Sequence, residues 1–208
     1  MNTERPERFK SFILVGAPGC GKGTQGSILG AIPRFFHFST GDAFRRLDTR
    51  TEIGQEFIKY SSQGELVPDE LTVRFFRSQI DALITSASFK PDIDILVLDG
   101  IPRNSQQAKL LEEHVEVLQI FHLSCPNRDE LITRIRKRAL KQGRLDDADE
   151  GIIRNRIQTY EEETKDLLDY YSHLRSEIGA AQPPVKVLND IIQVILKQPD
   201  WKHFIAGD

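Results

Sequence analysis

The sequence predicts an α/β fold in which about five parallel strands form a sheet flanked by helices. Apolar, β-branched or aromatic runs recur along the chain, and longer segments with helical spacing separate them. Runs that are apolar on both faces are typical of strands buried in a parallel sheet, and the helices between them serve as right-handed crossovers. The runs cover residues 11–16, 34–40, 93–100, 117–124 and 185–188.

The composition indicates one soluble domain with a sizeable core. The chain has 208 residues, of which 39% are hydrophobic, and a formal net charge of -3. This charge does not favour non-specific nucleic-acid binding, so a phosphate ligand needs locally clustered Arg and Lys. Cys20 and Cys125 lie far apart without metal-ligating neighbours, which predicts no disulfide framework and no zinc site and fits a reducing compartment. No run reaches the length of a membrane span and no cleavable signal is visible, so we expect a cytoplasmic protein without membrane contact.

The first predicted strand runs directly into a glycine-rich loop at residues 16–24, "GAPGCGKGT". A strand that ends in such a loop and opens a helix directs several backbone N–H groups at one point, where the helix dipole also favours an anion. Lys22 adds a positive charge, so the spacing predicts a cradle for nucleotide phosphates. The residue after this lysine is Gly23 rather than the usual Ser or Thr. We therefore expect Mg²⁺ to be held mainly by phosphates and water, with acidic residues orienting that water.

Three later segments carry helix signals. Pro68 followed by Asp69 and Glu70 is typical of a first helical turn, because proline lacks only an N–H that would be unpaired there and the acids face the positive helix end. A second helix is predicted at about residues 127–142, where a glycine follows and ends it. A third is predicted from about residue 149 to beyond residue 171.

The third predicted strand ends at Asp99, and Arg103 follows four residues later. Open parallel sheets bind ligands at the carboxyl ends of their strands, which predicts a position for this carboxylate beside the phosphate loop. A carboxylate there is poorly solvated unless cations approach it. A helix-capping role for Asp99 and a surface position for Arg103 are the alternatives.

Six arginines fall within one polar stretch at the second and third predicted helices. Arg134 and Arg138 are four residues apart and share a helix face, where like charges repel in the absence of a ligand. Planar guanidinium groups bind phosphate oxygens bidentately and offset charge at a transferring group. On charge alone, a solvated face neutralised by nearby acids remains an alternative. The cluster comprises Arg134, Arg136, Arg138, Arg144, Arg154 and Arg156.

Five features in order resemble the adenylate kinase family. The loop "GAPGCGKGT" matches the family pattern G-x-P-G-x-G-K-G-T, and "FSTGDAFR" (38–45) and "GELVPDE" (64–70) resemble its acceptor-nucleotide segments. The stretch "LDGIPRNSQQ" (98–107) is similar to the family pattern L-D-G-F-P-R-x-x-x-Q, and the arginine cluster is the fifth feature. The resemblance spans nearly the whole chain and implies a fold of the P-loop NTPase type.

The resemblance implies a role for each matching residue. Thr40 lies beside the adenine of AMP, Gln107 reads the adenine edge, and Arg45 grips the AMP phosphate. The implied ATP ligands are Gly19, Cys20, Gly21, Lys22, Gly23, Thr24, Arg134 and Arg138. The implied AMP ligands are Thr40, Arg45, Glu65, Leu66, Val67, Gly100, Arg103, Gln107, Arg144 and Arg156. The implied catalytic residues are Lys22, Arg103, Arg134, Arg144 and Arg156, and magnesium is held by Asp99 and Asp42 through water only.

The same resemblance divides the chain into a core and two excursions. The core covers about residues 10–39, 71–133 and 157–208, the NMP-binding segment about 40–70, and a short lid with its hinges about 134–156. Water would compete as a phosphoryl acceptor, so we expect the polar stretch "KQGRLDDADE" to be the tip of a lid that closes over ATP. This stretch lacks the four metal ligands found in some longer lids.

We therefore expect a monomeric adenylate kinase that catalyses the reversible, Mg²⁺-dependent transfer of a phosphoryl group from ATP to AMP, giving two ADP. A UMP/CMP kinase or another nucleoside monophosphate kinase is the alternative, and a non-catalytic nucleotide-binding module is a more distant one. Gln107 favours AMP because its amide can donate and accept along one edge of adenine, a pattern that uracil cannot match. Against AMP stands the replacement of the usual phenylalanine by Ile101. The segment "PPVKVLNDIIQ", which lines the donor base in the family, is shorter than usual, and this leaves ATP or GTP open as the donor.

Overall fold

The computed structural model describes residues 8–143 and 149–198 and contains a five-stranded sheet, all parallel, in the order β2-β3-β1-β4-β5. The predicted parallel α/β sheet is confirmed. The strands are β1 (Phe9–Gly16), β2 (Phe35–Ser39), β3 (Ile95–Asp99), β4 (Val115–Ser124) and β5 (Arg175–Gly179). The helices are α1 (Lys22–Leu29), α2 (Thr40–Arg45), α3 (Glu52–Ser61), α4 (Asp69–Thr85), α5 (Ser105–Leu111), α6 (Arg128–Gln142), α7 (Glu150–Tyr170) and α8 (Pro184–Ile195).

The position predicted for the fifth strand is wrong. Residues 185–188 lie in α8, and the strand is formed by the earlier segment β5. Pro184 stands in the first turn of α8, where its restricted φ and missing N–H suit a helix start. Val187 and Ile191 are then buried at helical spacing. Because β5 is an edge strand in which only Ile178 is buried, its sequence lacks the apolar run that marks the inner strands.

Hydrophobic residues on the two faces of the sheet form separate cores. In β1, Phe12 and Leu14 belong to one core, whereas Ile13 and Val15 belong to the other, as the two-residue period of a strand requires. Helices α1, α6 and α8 cover the first face, and α4 and α5 cover the second. The first half of α7 packs into the first core and its second half into the second.

The predicted starts of the three helices and the predicted end of the second agree with the observed ones. The predicted extension of the third helix beyond residue 171 is wrong, because α7 ends at Tyr170 and a short turn at Ser172–Leu174 leads into β5. α4 begins directly after Pro68, and α6 begins after Asn127, whose side chain accepts a hydrogen bond from the first turn. Gly143 ends α6 in the left-handed conformation. Asp149 caps α7 in the same way as Asn127 caps α6. Within the described ranges, no helix has the length and apolar character that crossing a membrane requires.

The parallel arrangement brings three strand ends to one edge of the sheet. Asp99, the last residue of β3, is in register with Leu14 of β1 and with Ser39 of β2. The glycine-rich loop follows β1, and α2 follows β2. The residues after these strands therefore meet at the edge where open parallel sheets bind ligands.

Candidate active site

A cavity of about 690 Å³ opens at this edge of the sheet. It extends from the glycine-rich loop past the end of β3 to α2 and the start of α4, and α6 and α7 border its other side. Arg144, a predicted ligand of AMP, lies outside the described residues. The other predicted site residues all line the cavity: Gly19, Cys20, Gly21, Lys22, Gly23, Thr24, Thr40, Asp42, Arg45, Glu65, Leu66, Val67, Asp99, Gly100, Arg103, Gln107, Arg134, Arg138 and Arg156.

The phosphate loop takes its shape from glycines. Gly19 and Gly21 have φ angles of 83° and 107°, in the left-handed region that residues with a Cβ rarely adopt. The Lys22 side chain folds over the loop, and its Nζ donates to the Gly16 and Ala17 carbonyl oxygens at 2.6 and 3.2 Å. The ammonium group therefore stays at the mouth of the loop, where the oxygens of a bound phosphate can replace these carbonyl oxygens as its hydrogen-bond acceptors.

Cys20 lies in the loop without the features of a nucleophile. Its side chain is buried, and burial raises the pKa of the thiol despite the nearby charge of Lys22. A nucleophilic cysteine needs the thiolate, which a raised pKa disfavours. The thiol packs beside Gly16, where a Cβ would lie 2.6 Å from the sulfur. Cys20 is therefore a small packing residue of the loop.

Asp99 is buried at the end of β3 among positive charges. Burial alone would raise its pKa, but the imidazole of His37 and the charges of Lys22 and Arg103 outweigh burial and hold the pKa below its ordinary value. Its Oδ2 lies 3.6 Å from the position that a Cβ on Gly23 would occupy. The ionised carboxylate and the phosphate loop are therefore direct neighbours.

The surroundings of Asp99 fit a magnesium ion that keeps its water. Mg²⁺ prefers oxygen ligands and dehydrates reluctantly, so one or two carboxylates together with substrate phosphates bind it. Asp99 supplies one carboxylate, and Asp42 lines the same cavity, where its Oδ1 lies 3.1 Å from the Arg45 guanidinium. In the part of the chain that the structure describes, no group of three or more His, Cys, Asp and Glu residues forms a metal site. This donor set suits coordination through water.

His37 is a neighbour of the site that the sequence analysis missed. Its Nε2 is buried, has no hydrogen-bond partner among the described residues, and lies 3.9 Å from Oδ2 of Asp99. Gly26 of α1 and Gly30, which follows the end of α1, leave the space for its ring, because a Cβ on either would overlap with His37. Two glycines four residues apart, one in a helix and one at its C-terminal end, followed by a strand histidine, are the sequence signal for this packing.

Three arginines converge on the middle of the cavity. Burial lowers the pKa of Arg103 to about 10, and the charges of Arg156 and Arg45 add to this effect, whereas Asp99 opposes it. The Nε of Arg103 donates to the Gly100 carbonyl oxygen at 3.1 Å, which directs the guanidinium. Like charges held together with little water destabilise each other, so this cluster favours the binding of an anion.

The arginines of α6 and α7 separate into two groups. Arg134 and Arg138 line the cavity. Arg136 and Arg154 instead pair with Glu150, and their side chains are 59% and 58% exposed. Arg134 and Arg138, four residues apart on one face of α6, therefore point into the site, whereas Arg136 and Arg154 lie at the surface.

Polar side chains at the other end of the cavity can recognise a base. The Thr40 hydroxyl is buried and has no hydrogen-bond partner among the described residues. Gln107 is 1% exposed, and its amide is held by the backbone N–H of Arg103 and by the carboxylate of Asp69. A buried hydroxyl without a partner is costly, so its position in the cavity favours a polar ligand.

An aromatic stack that the sequence analysis missed lies beside these groups. The rings of Phe44 and Phe57 line the cavity and are parallel within 4°, with centroids 5.1 Å apart. Phe44 also stacks on Phe75, with centroids 4.2 Å apart. The three residues come from α2, α3 and α4, so no short motif marks their proximity. The stack gives this end of the cavity an apolar surface that suits a planar ring.

Comparisons with known proteins agree with this geometry. The model of the family described as "Adenylate kinase" matches residues 14–176. The chain belongs to the adenylate kinase family. It is 35% identical over 193 residues to the adenylate kinase of Flavobacterium psychrophilum, a match that covers 88% of this chain and 97% of that relative. It is 37% identical over 195 residues to the adenylate kinase of Leptospira biflexa, covering 90% of this chain and all of that relative.

The adenylate kinase of Corynebacterium urealyticum is also similar, with 38% identity over 161 residues, which cover 77% of this chain and 84% of the relative. The predicted family, its fold and the class of nucleoside monophosphate kinases are thus confirmed.

In this member of the adenylate kinase family, α7 contacts the segment between α3 and α4. The Asn155 amide donates to the Gln63 carbonyl oxygen at 2.6 Å. A Cβ on Gly64 would lie 3.0 Å from Cγ of Arg156.

Proposed function

We propose that the chain catalyses the reversible transfer of the γ-phosphoryl group from Mg·ATP to AMP, which gives two ADP. The observation that carries this proposal is the convergence of Arg103, Arg45 and Arg156 between the phosphate loop and the base pocket. Two nucleotides that exchange a phosphoryl group bring their negative charge to this point. The names of the relatives support this reaction.

On the donor side, we assign the ATP phosphates to the loop and to two arginines of α6. Arg134 supports this assignment, because its guanidinium donates to the Ala180 carbonyl oxygen at 3.2 Å and pairs with Glu130 at 2.5 Å. These contacts hold it between α6 and the segment before α8. The proposed donor ligands are Gly19, Cys20, Gly21, Lys22, Gly23, Thr24, Arg134 and Arg138.

On the acceptor side, the hydroxyl of Thr40, which has no partner in the described ranges, and the amide of Gln107 support recognition of a base. The family pattern alone supports Arg144. The proposed AMP ligands are Thr40, Arg45, Glu65, Leu66, Val67, Gly100, Arg103, Gln107, Arg144 and Arg156.

The reaction requires positioning and charge neutralisation rather than covalent catalysis. The AMP phosphate is already an anionic nucleophile, so no general base is needed. When bound with ATP, Mg²⁺ neutralises phosphate charge and orients the reacting oxygens, and Asp99 and Asp42 would hold it through water. The residues that offset charge at the transferring group are Lys22, Arg103, Arg134, Arg144 and Arg156.

We further propose that residues 40–70 and 134–156 close over the core to exclude water. The hydrogen bond between Asn155 and Gln63 supports this, because it joins the two segments and must break when they separate. We also propose that the protein acts as a monomer. Cys20 and Cys125 are both unpaired, which supports a reducing, cytoplasmic location.

The proposed function is tested by ADP formation from Mg·ATP with AMP, CMP, UMP and GMP supplied separately. We expect activity confined to AMP. Comparable activity with CMP or UMP would contradict AMP as the specific acceptor. Absence of activity with every acceptor would contradict phosphoryl transfer. Lys22→Met is the inactive control, and Arg136→Met, which removes a surface cation, is the active one.

A binding measurement separates this kinase from a protein with a single nucleotide site. An inhibitor that joins two adenosines through a chain of phosphates should bind far more tightly than ATP, because it occupies both subsites at once. Equal affinity for the two compounds would favour the non-catalytic alternative.

A further inference from the structure

We propose that Asp69 locks the orientation of the Gln107 amide and thereby makes the acceptor site select 6-aminopurine over 6-oxopurine nucleotides. This inference rests on the proposed use of AMP as the acceptor. Asp69 does not line the cavity, so it acts as a positioning residue for specificity.

The two ends of the Gln107 amide have partners of opposite character. The backbone N–H of Arg103 donates to Oε1 at 2.9 Å. A backbone N–H can only donate, so the end of the amide that faces it has to be the oxygen. At the other end, Nε2 donates to Oδ1 of Asp69 at 2.8 Å, and a carboxylate can only accept. The orientation of this buried amide is therefore determined by its surroundings.

A flipped amide would meet both partners with the wrong polarity. The NH₂ group would then face the Arg103 N–H, and the oxygen would face the Asp69 carboxylate. Gln107 is 1% exposed, so water cannot compensate for these lost hydrogen bonds.

Asp69 is itself held by a second amide. The Nδ2 of Asn104 lies 3.2 and 3.3 Å from the two Asp69 oxygens and 3.1 Å from Oε2 of Glu163. The Oδ1 of Asn104 accepts from the backbone N–H of Gln107 at 2.8 Å. This network connects the first turns of α4 and α5 with α7, so the Asp69 carboxylate has little freedom to turn away from Gln107.

The locked amide has one acceptor site and one N–H left for a ligand. Adenine presents an amino donor at position 6 and an acceptor at N1. In the observed orientation of the amide, Oε1 accepts from the amino group and Nε2 donates to N1. Hypoxanthine and guanine present an oxygen at position 6 and an N–H at position 1, which match only the flipped amide. AMP and IMP have nearly the same shape, so the direction of the amide decides between them.

The experiment measures kcat/KM for AMP and for IMP, with Mg·ATP as the donor, in the wild type and in Asp69→Ala. Where turnover of IMP is too slow, its inhibition constant against AMP gives the same comparison. We expect Asp69→Ala to lower the AMP-to-IMP ratio by about tenfold, because one of the two constraints is lost while the Arg103 N–H remains. Asp69→Asn keeps an acceptor oxygen and should restore most of the ratio.

Two controls separate this role from a structural one. Glu70→Ala removes the adjacent, exposed acid from the same helical turn and should leave the ratio unchanged. In a Gln107→Ala background, Asp69→Ala should no longer affect the ratio. Equal losses for AMP and IMP in Asp69→Ala, or an effect that persists without Gln107, would overturn the inference. A wild type that phosphorylates AMP would still support the proposed function, whereas a wild type that prefers UMP or CMP would contradict both.

Discussion

Replacement of Arg103 by methionine should make the ligand-free protein more stable and the enzyme much slower. Arg103 lies among cations in the middle of the cavity, and burial together with the charges of Arg156 and Arg45 lowers its pKa to about 10. Methionine matches the length of the arginine stem up to Nε and has no charge. The substitution therefore removes an electrostatic cost from the free protein and a phosphate ligand from the complex.

The size of both effects follows from the structure. A pKa of about 10 for an arginine means that its burial among these charges lowers the free energy of unfolding by about 3 kcal/mol at neutral pH. Loss of the hydrogen bond to the Gly100 carbonyl oxygen costs about 1 kcal/mol, which leaves a net gain of about 2 kcal/mol. For a chain of this length, this raises Tm by about 4–8 °C. Loss of one group that stabilises transition-state charge lowers kcat by roughly 10² to 10³-fold.

The assay compares Tm by scanning calorimetry, without nucleotide, with kcat for AMP and Mg·ATP. Arg136→Met is the matched control, because Arg136 is exposed and pairs with Glu150 outside the cavity, so neither quantity should change appreciably. A lower Tm for Arg103→Met would refute the argument that burial and neighbouring positive charge destabilise Arg103 in the free protein. Near-native kcat would refute the role of Arg103 at the transferring group.

Three further predictions concern the loop, the base pocket and the buried carboxylate. Lys22→Met should lower kcat by orders of magnitude, and near-native turnover of this variant in the ADP assay would contradict its proposed role. Thr40→Ala should weaken the preference for AMP over CMP and UMP, whereas Thr40→Ser, which keeps the hydroxyl, should retain it. The pKa of Asp99 lies below its ordinary value, because His37 and Lys22 outweigh the effect of burial. The ionised carboxylate therefore stabilises the folded protein at neutral pH, and this stabilisation is lost as the pH falls below about 4. The Tm difference between wild type and Asp99→Asn should therefore shrink on acidification, and a widening difference would contradict this sign.

The phosphate-binding half of the site was predictable because its residues are contiguous with strong local signals. Residues 16–24 contain the end of a buried strand, the glycines that permit positive φ, and the lysine. Asp99 ends another buried strand. Once the sheet is known to be parallel, these two strand ends have to share an edge, so local patterns were sufficient to place them together.

The edge strand and the base pocket were less predictable for a physical reason. β5 contributes one buried side chain, and the apolar segment after it follows a proline and satisfies a helical period, so the pattern favoured the wrong segment as a strand. Phe44, Phe57 and Phe75 meet because three helices converge. Each of these phenylalanines, taken alone, is typical of an ordinary core position.

Asp69 shows that the motif at residues 98–107 can contain Gln107, which contacts the base, without containing the residue that fixes the orientation of its amide. As an acid in the first turn of α4, Asp69 is already explained by its favourable interaction with the helix dipole. The family pattern at residues 64–70 implies ligand roles for Glu65, Leu66 and Val67 but none for Asp69, so the sequence offers no reason to look for a second role at this position. The second role arises from a contact across 38 positions with Gln107, whose other end is occupied by a backbone N–H. A glutamine alone could pair with either class of purine, so selectivity depends on the partner that prevents the amide from turning.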